Sequence, residues 1–201
     1  MCGIAGIFHY ETVKPVDPRR VERMTDALGH RGPDGSGVWT APGVGLGHRR
    51  LSIIDLEGSP QPMHSADGRA VISFNGEIYN YRELRRELEQ GGARFRTHGD
   101  TEVILAAWQR WGPDCLARLD GMFAFALYDL DRRQLFLARD RLCVKPLYLS
   151  LLEGGALSFA REMKGLLANP FLLRYLDPLS LEDFISWGFF PDHLSLLIFV
   201  V

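Results

Sequence analysis

Seven consecutive apolar positions, Met122-Phe123-Ala124-Phe125-Ala126-Leu127-Tyr128, are followed by Asp131-Arg132-Arg133 and a second apolar stretch, Gln134 to Ala138. A strand that faces water on one side alternates apolar and polar residues; this run does not. It reads as a hairpin buried on both faces, which needs one layer above it and another below. Two sheets packed together, with helices outside, meet that requirement.

The remaining segments supply those layers. Residues 2–9 read as a buried strand. Pro18 to Leu28 reads as a helix, with Asp17 as N-cap, Pro18 at the first helical position and Gly29 just past its end. After the turn-rich stretch His30 to Gly37, short strands are expected at 38–40 and 44–49. Asp67-Gly68 signals a hairpin turn before a strand at 70–74. Tyr81 to Gln90 is an amphipathic helix with Tyr81, Leu84 and Leu88 on one face and Glu83 and Glu87 on the other. Thr101 to Trp111 is a further helix with Asp100 at its N-terminal edge. Strands at 146–150 and 156–160 and a helix at 162–168 close the pattern.

Composition excludes several classes of function. A formal net charge of -2, with no clustered Lys/Arg face, argues against a nucleic-acid partner. The apolar tail Leu194 to Val201 is far short of a membrane span, and no signal peptide is visible. Cysteines at 2, 115 and 143 are odd in number and lack metal-type spacing, so neither a disulfide framework nor a metal site is expected, and a reducing cytoplasm is the expected compartment.

One of those cysteines has special chemistry. Removal of Met1 would make Cys2 N-terminal, placing a thiol and an α-amine on one residue. Their ordinary pKa values, about 8.5 and about 8, suit a nucleophile with its own base near neutral pH. Four polar clusters, expected at strand ends or loops, add complementary groups: His30 to Asp34, Gly47 to Ile53, Phe74 to Glu77, and Gly99 to Glu102. The Asn75 amide and the Gly76 N–H could both donate to an oxyanion. Arg50 could fork onto a carboxylate, and Asp100 could hold an ammonium. Glutamine is a molecule with a carboxylate, an adjacent ammonium and a distal amide, and so complements these groups.

The strings MCGIAGIF, HRGPDG, GHRRLSIIDL, QPM, FNGEIYNYRELR, HGDTEVIL, LDGMFAFALYD and LFLARDRL-VKPLY occur in order over about residues 2–168. In these the chain resembles the glutaminase domain of class II glutamine amidotransferases, most closely the asparagine synthetase (glutamine-hydrolysing) family. It is similar also to bacterial amidotransferases of exopolysaccharide-linked systems. The resemblance implies an N-terminal-nucleophile hydrolase fold: α+β, a four-layer αββα sandwich of two antiparallel sheets. It implies Cys2 as nucleophile with its α-amine as base, and Asn75 and Gly76 as oxyanion hole. Arg50 would take the glutamine α-carboxylate and Asp100 the α-ammonium. Leu51, Ser52, Ile53, Ile54 and Glu77 would line the pocket, with Arg31 in a supporting loop. No cofactor is implied for this domain; ATP and Mg are expected only of a synthetase domain that would accept the ammonia. An oligomer is compatible with this reading.

The chain also departs from the resembled pattern. Cys143 stands where the family usually has Gly, Leu149 where a second Tyr is common, and Arg161 where a small residue precedes Glu162. None of these is expected to touch the glutamine site; their effect should fall on stability or domain docking. Residues 169–201 are expected to be a linker toward an absent or truncated synthetase domain, since no SGG-x-DS loop occurs, and the chain reads as a fragment or truncated product with an exposed or ill-ordered apolar tail. Service to another acceptor, or an inactive binding module, are the alternative readings.

Overall fold

Two antiparallel sheets are stacked in the computed structural model, which describes residues 2–52, 59–189, 195, 197, 198 and 200. One contains β1 (Gly3–His9), β2 (Gly35–Ala41), β3 (Val44–Arg50), β8 (Tyr148–Leu152) and β9 (Ala156–Ala160), in the order β2-β3-β1-β9-β8. The other contains β4 (Met63–His64), β5 (Ala70–Ile78), β6 (Gly121–Asp129) and β7 (Gln134–Arg139), in that order. The helices are α1 (Pro18–Asp26), α2 (Tyr81–Gln90), α3 (Asp100–Trp111), α4 (Met163–Leu167) and α5 (Pro178–Trp187).

The apolar run is β6, and its two faces do different work. Ala124, Ala126 and Tyr128 point between the sheets, where they meet Ile4, Leu46 and Phe159 of the first sheet. Phe123, Phe125 and Leu127 point the other way and pack with Leu84 and Leu88 of α2 and Val103 and Ile104 of α3. Small residues let the sheets approach, and large ones fill the wider gap under the helices. Each fully buried Phe contributes roughly 2–3 kcal/mol of transfer free energy to this core. On the far side, Val21 and Met24 of α1 and Leu166 of α4 cover Ala5, Ile7 and Ala160. The four layers expected from the sequence are therefore present.

Several elements differ from the expectation. Gln134 to Ala138 is not buried on both faces: as β7 it is the sheet edge, and only Ala138 is buried. Asp17 does cap α1, its side chain accepting from the Arg19 N–H at 3.0 Å. Gly29, however, opens a 3-10 turn, Gly29–Arg31, rather than ending the helix. The Asn75-Gly76 pair is not a strand end. β5 continues through it to Ile78, with Asn75 opposite Ala124 and Gly76 opposite Phe123. Strand pairing is that close here because Gly76 has no Cβ; one would lie 2.2 Å from the Met122 carbonyl oxygen. Beyond residue 168, Leu172, Leu197 and Val200 are buried against the first sheet, so these described positions of the tail are not exposed. Among the described residues no helix is long and apolar enough to cross a membrane.

Cys143 is exposed and has φ 54°. That left-handed backbone strains any side chain with a Cβ. Replacement by Gly (C143G) should raise stability by about 0.5–1 kcal/mol, the relief of strain exceeding the added freedom of the unfolded chain. The urea unfolding midpoint checks it; a C143G midpoint at or below that of the parent would refute the strain.

Candidate active site

The end of β1 places Cys2 beside the end of β3. The register pairs Gly3 with Arg49, so Cys2 lies next to Arg50 and Leu51. The Leu51 N–H donates to Cys2 Sγ at 3.3 Å, and the thiol in turn donates to the Leu51 carbonyl at 3.5 Å. Burial pushes the Cys2 thiol up from its ordinary value; the Leu51 N–H and the positive charges of Arg50 and Arg161 act against that shift.

Cys2 opens into a cleft lined also by Arg50, Leu51, Asn75, Gly76, Glu77 and Asp100. Segments far apart in the chain thus converge on one space. The Asn75 side chain is buried, and among the described residues neither its Oδ1 nor its Nδ2 finds a partner. A buried amide left in that state costs roughly 1–3 kcal/mol, which makes it a group held ready for a ligand.

The backbone of β5 explains the neighbouring donor. The Phe123 N–H and carbonyl are both engaged with Asp140, on the side of β6 away from β5. Directly opposed residues of an antiparallel pair turn their polar groups together, toward each other or away. Gly76, opposite Phe123, therefore points its N–H away from β6. The N–H groups two residues either side point the same way: Phe74 donates to Gln61 Oε1 at 2.6 Å and Ile78 to Asp100 Oδ2 at 3.0 Å. Between them, the Gly76 N–H faces the cleft.

Asp100 is the first residue of α3 and is buried. Burial pushes its carboxyl up to about 6, opposed by N–H groups of Ile78, Asp100 and Thr101 and reinforced by the charge of Glu77. Glu102, one position beyond Thr101, turns to the preceding loop instead, accepting from the N–H groups of Arg96 and Thr97 and the Thr97 hydroxyl. It fixes the entry to α3 and thereby the placement of Asp100.

Two of the sequence-predicted positions do not line the cleft. The Ser52 N–H donates to Asp34 Oδ2 at 2.8 Å, tying the segment after β3 to the start of β2. Arg31 pairs with Glu162, as does His30, whose Nε2 lies 3.0 Å from Glu162 Oε2. Ile53 and Ile54 lie outside the described residues.

The cleft has further walls that were not assigned a role from sequence: Ser59, Gln61, Phe74, Thr101, Met122 and Lys145. Gln61 links the layers, its Nε2 donating to the Thr101 hydroxyl at 3.3 Å. Lys145 is buried at the end of a turn organised by Asp140, which accepts from the N–H groups of Phe123, Val144 and Lys145. Burial opposes the Asp140 charge, but those N–H groups hold its carboxyl below the ordinary value. QPM, GDTE and VKPLY are visible as strings, yet only the folded turns show that they meet. Arg161 corrects the sequence expectation outright. Far from being remote, its Nη1 donates to the Cys2 carbonyl at 2.9 Å.

Residues 1–200 match the model of a family described as glutamine amidotransferase domain. Asparagine synthetase [glutamine-hydrolyzing] 3 of Bacillus subtilis is 41% identical over 94% of this chain, which spans 31% of that relative. Asparagine synthetase B [glutamine-hydrolyzing] of Escherichia coli is 41% identical over 83% of the chain, which spans 30% of it. The chain thus covers under a third of these relatives' length. Among solved structures, glutamine phosphoribosylpyrophosphate amidotransferase from B. subtilis superposes with a TM-score of 0.69 at 22% identity, over 88% of this chain and 46% of that one. That likeness establishes the fold.

Proposed function

The chain belongs to the glutamine amidotransferase domain family, and on that premise we propose that its cleft hydrolyses glutamine to glutamate and ammonia. The observation that carries this reading is the convergence of the Cys2 thiol with the Asn75 amide, which has no partner among the described residues, in one cleft that also holds Arg50 and Asp100.

In this reading, loss of Met1 frees the Cys2 α-amine. Cys2 Sγ attacks the side-chain amide carbon of glutamine while its proton passes to that amine. The Asn75 Nδ2 and Gly76 N–H take the charge that develops on the carbonyl oxygen. The carbon–nitrogen bond breaks, and the amine returns the proton to the leaving ammonia. Water then cleaves the γ-glutamyl thioester, giving glutamate and restoring the thiol. Arg50 pairs with the α-carboxylate of glutamine and Asp100 with its α-ammonium, which selects a free amino acid over a peptide. Arg31, through Glu162, supports the loop over the site. Glu77 completes the described part of the substrate pocket. This half-reaction draws on no cofactor; ATP and Mg would be used only by a synthetase domain that accepts the ammonia.

We further propose that the ammonia serves asparagine synthesis by such a domain, supported by the names of the relatives that this chain matches at 41% identity.

The test is glutamate release from glutamine by the purified chain, with Met1 removal confirmed by mass. Release that disappears in Cys2→Ala is the expected result. A folded, processed chain that releases no glutamate, or a Cys2→Ala variant that still does, would overturn the assignment.

A further inference from the structure

Arg161 is nearly inaccessible, with 3% of its surface exposed. An arginine stays charged in proteins, and taking that charge out of water is costly unless the site uses it. Its position follows from sheet register. Ala160 pairs with Ala5, and the ladder runs one step further, the Arg161 N–H donating to the Ile4 carbonyl at 2.9 Å. The side chain then reaches the Cys2 carbonyl, also at 2.9 Å. It is not among the residues that line the cleft, so it meets the nucleophile through its backbone and is not placed to touch substrate.

Resting on the proposed function, we propose that Arg161 is a positioning residue for the nucleophile: its guanidinium fixes the Cys2 carbonyl and supplies a buried positive charge that favours the thiolate and the neutral α-amine. Both effects follow from charge, since a neighbouring cation stabilises an anion and disfavours a second cation. The Cys2 thiol is raised by burial but held lower than burial alone would set it, by the Leu51 N–H first and then by nearby positive charges, Arg50 and Arg161 among them.

Other charged groups face the same space. Arg50 approaches from β3, Glu77 from β5, Asp100 from α3 and Lys145 from the turn before β8. Behind Arg161 the charges of Arg31 and Glu162 act in opposite senses, and Glu162 is itself shared with Arg31 and His30. Arg161 is tied directly to Cys2, through the Cys2 carbonyl.

The experiment is carboxamidomethylation of Cys2 by iodoacetamide across roughly pH 5.5 to 9.5, followed by peptide mass spectrometry, on the full chain and on R161Q and R161K. Exposed Cys143 serves as reference for the reagent, and buried Cys115 reports whether the variant is folded. R161Q should slow Cys2 alkylation about three- to tenfold near pH 7 and move its midpoint to higher pH, as expected for loss of one nearby charge. R161K, which keeps the charge, should hold the midpoint of the parent. Should R161Q expose Cys115, R161M, which preserves the packed stem, takes its place with the same expectation. A charge-removing variant that keeps the parental midpoint, or an R161K that shifts as far as R161Q, would overturn the proposal. Alkylation needs no turnover, so the two readings separate. A pH shift without glutamate release removes the glutaminase reading and leaves the electrostatic role of Arg161, whereas glutamate release without a shift does the reverse.

Discussion

Replacing Asn75 by Ala will lower kcat for glutamine hydrolysis by about 10²–10³-fold, leave KM nearly unchanged, and leave the protein as stable as before or more so. The rate loss is that of one oxyanion donor, which acts on charge present in the transition state and not on the bound substrate. The stability claim comes from the site itself. The Asn75 amide is buried and finds no partner among the described residues, so its removal forfeits no protein hydrogen bond. It abolishes a desolvation cost of roughly 1–3 kcal/mol, offset in part by the small cavity left behind. Steady-state glutamate release and thermal unfolding on the same preparation check both halves. A rate loss accompanied by a large fall in Tm would mean that Asn75 is a structural residue.

Replacing Asp100 by Asn will raise the KM for glutamine about 10²–10³-fold while stabilising the protein at and above pH 7. The first effect is loss of the charge that faces the substrate ammonium in a desolvated setting. The second follows from linkage. Asp ionises at 3.8 when unfolded and at about 6 in this site. Between those values the folded state binds more protons than the unfolded one, so stability falls as pH rises through the interval. Below 3.8 both forms are neutral, and the carboxyl costs nothing relative to an amide. Above about 6 the penalty is complete, about 2–3 kcal/mol. D100N keeps an oxygen for the Ile78 N–H and loses the penalty. Its advantage in urea unfolding should therefore be about 1–3 kcal/mol near pH 8 and vanish toward pH 4. For the parent, kcat/KM should drop as pH falls through about 6. An advantage of D100N that persists unchanged at pH 4 would contradict the assigned cause.

Both substitutions concern residues legible in the sequence, and the reason is local. Asp100 precedes a run of helix formers, and Asn75-Gly76 follows a run of β-formers, so each stands out against its neighbours. The layer structure was legible for a similar reason: β6 has no polar face to give to water. Less was visible where geometry depends on distant pairing. Asn75-Gly76 looked like a strand end, because nothing nearby reveals that Met122 and Phe123 will close against Gly76. β7 looked buried on both faces because its composition does not say that it will be an edge. Gln61 and Lys145 reach the cleft through turns held by hydrogen bonds to Phe74, Thr101 and Asp140. Arg161 looked like a remote departure because its bearing on Cys2 is set by the β1–β9 register, across 159 positions of chain.

That register has a consequence for synthesis. β1 lies in the interior of its sheet, between β3 and β9, yet β9 is made some 150 residues after it. At 5–20 residues per second, translation leaves the first strand without its second neighbour for roughly 8–30 s. Through that interval β3 is the sheet neighbour that β1 can already have. Docking of β9 then closes the other side of β1 and brings the Arg161 guanidinium to the Cys2 carbonyl. Strand topology alone thus makes the contact at Cys2 wait for the synthesis of β9.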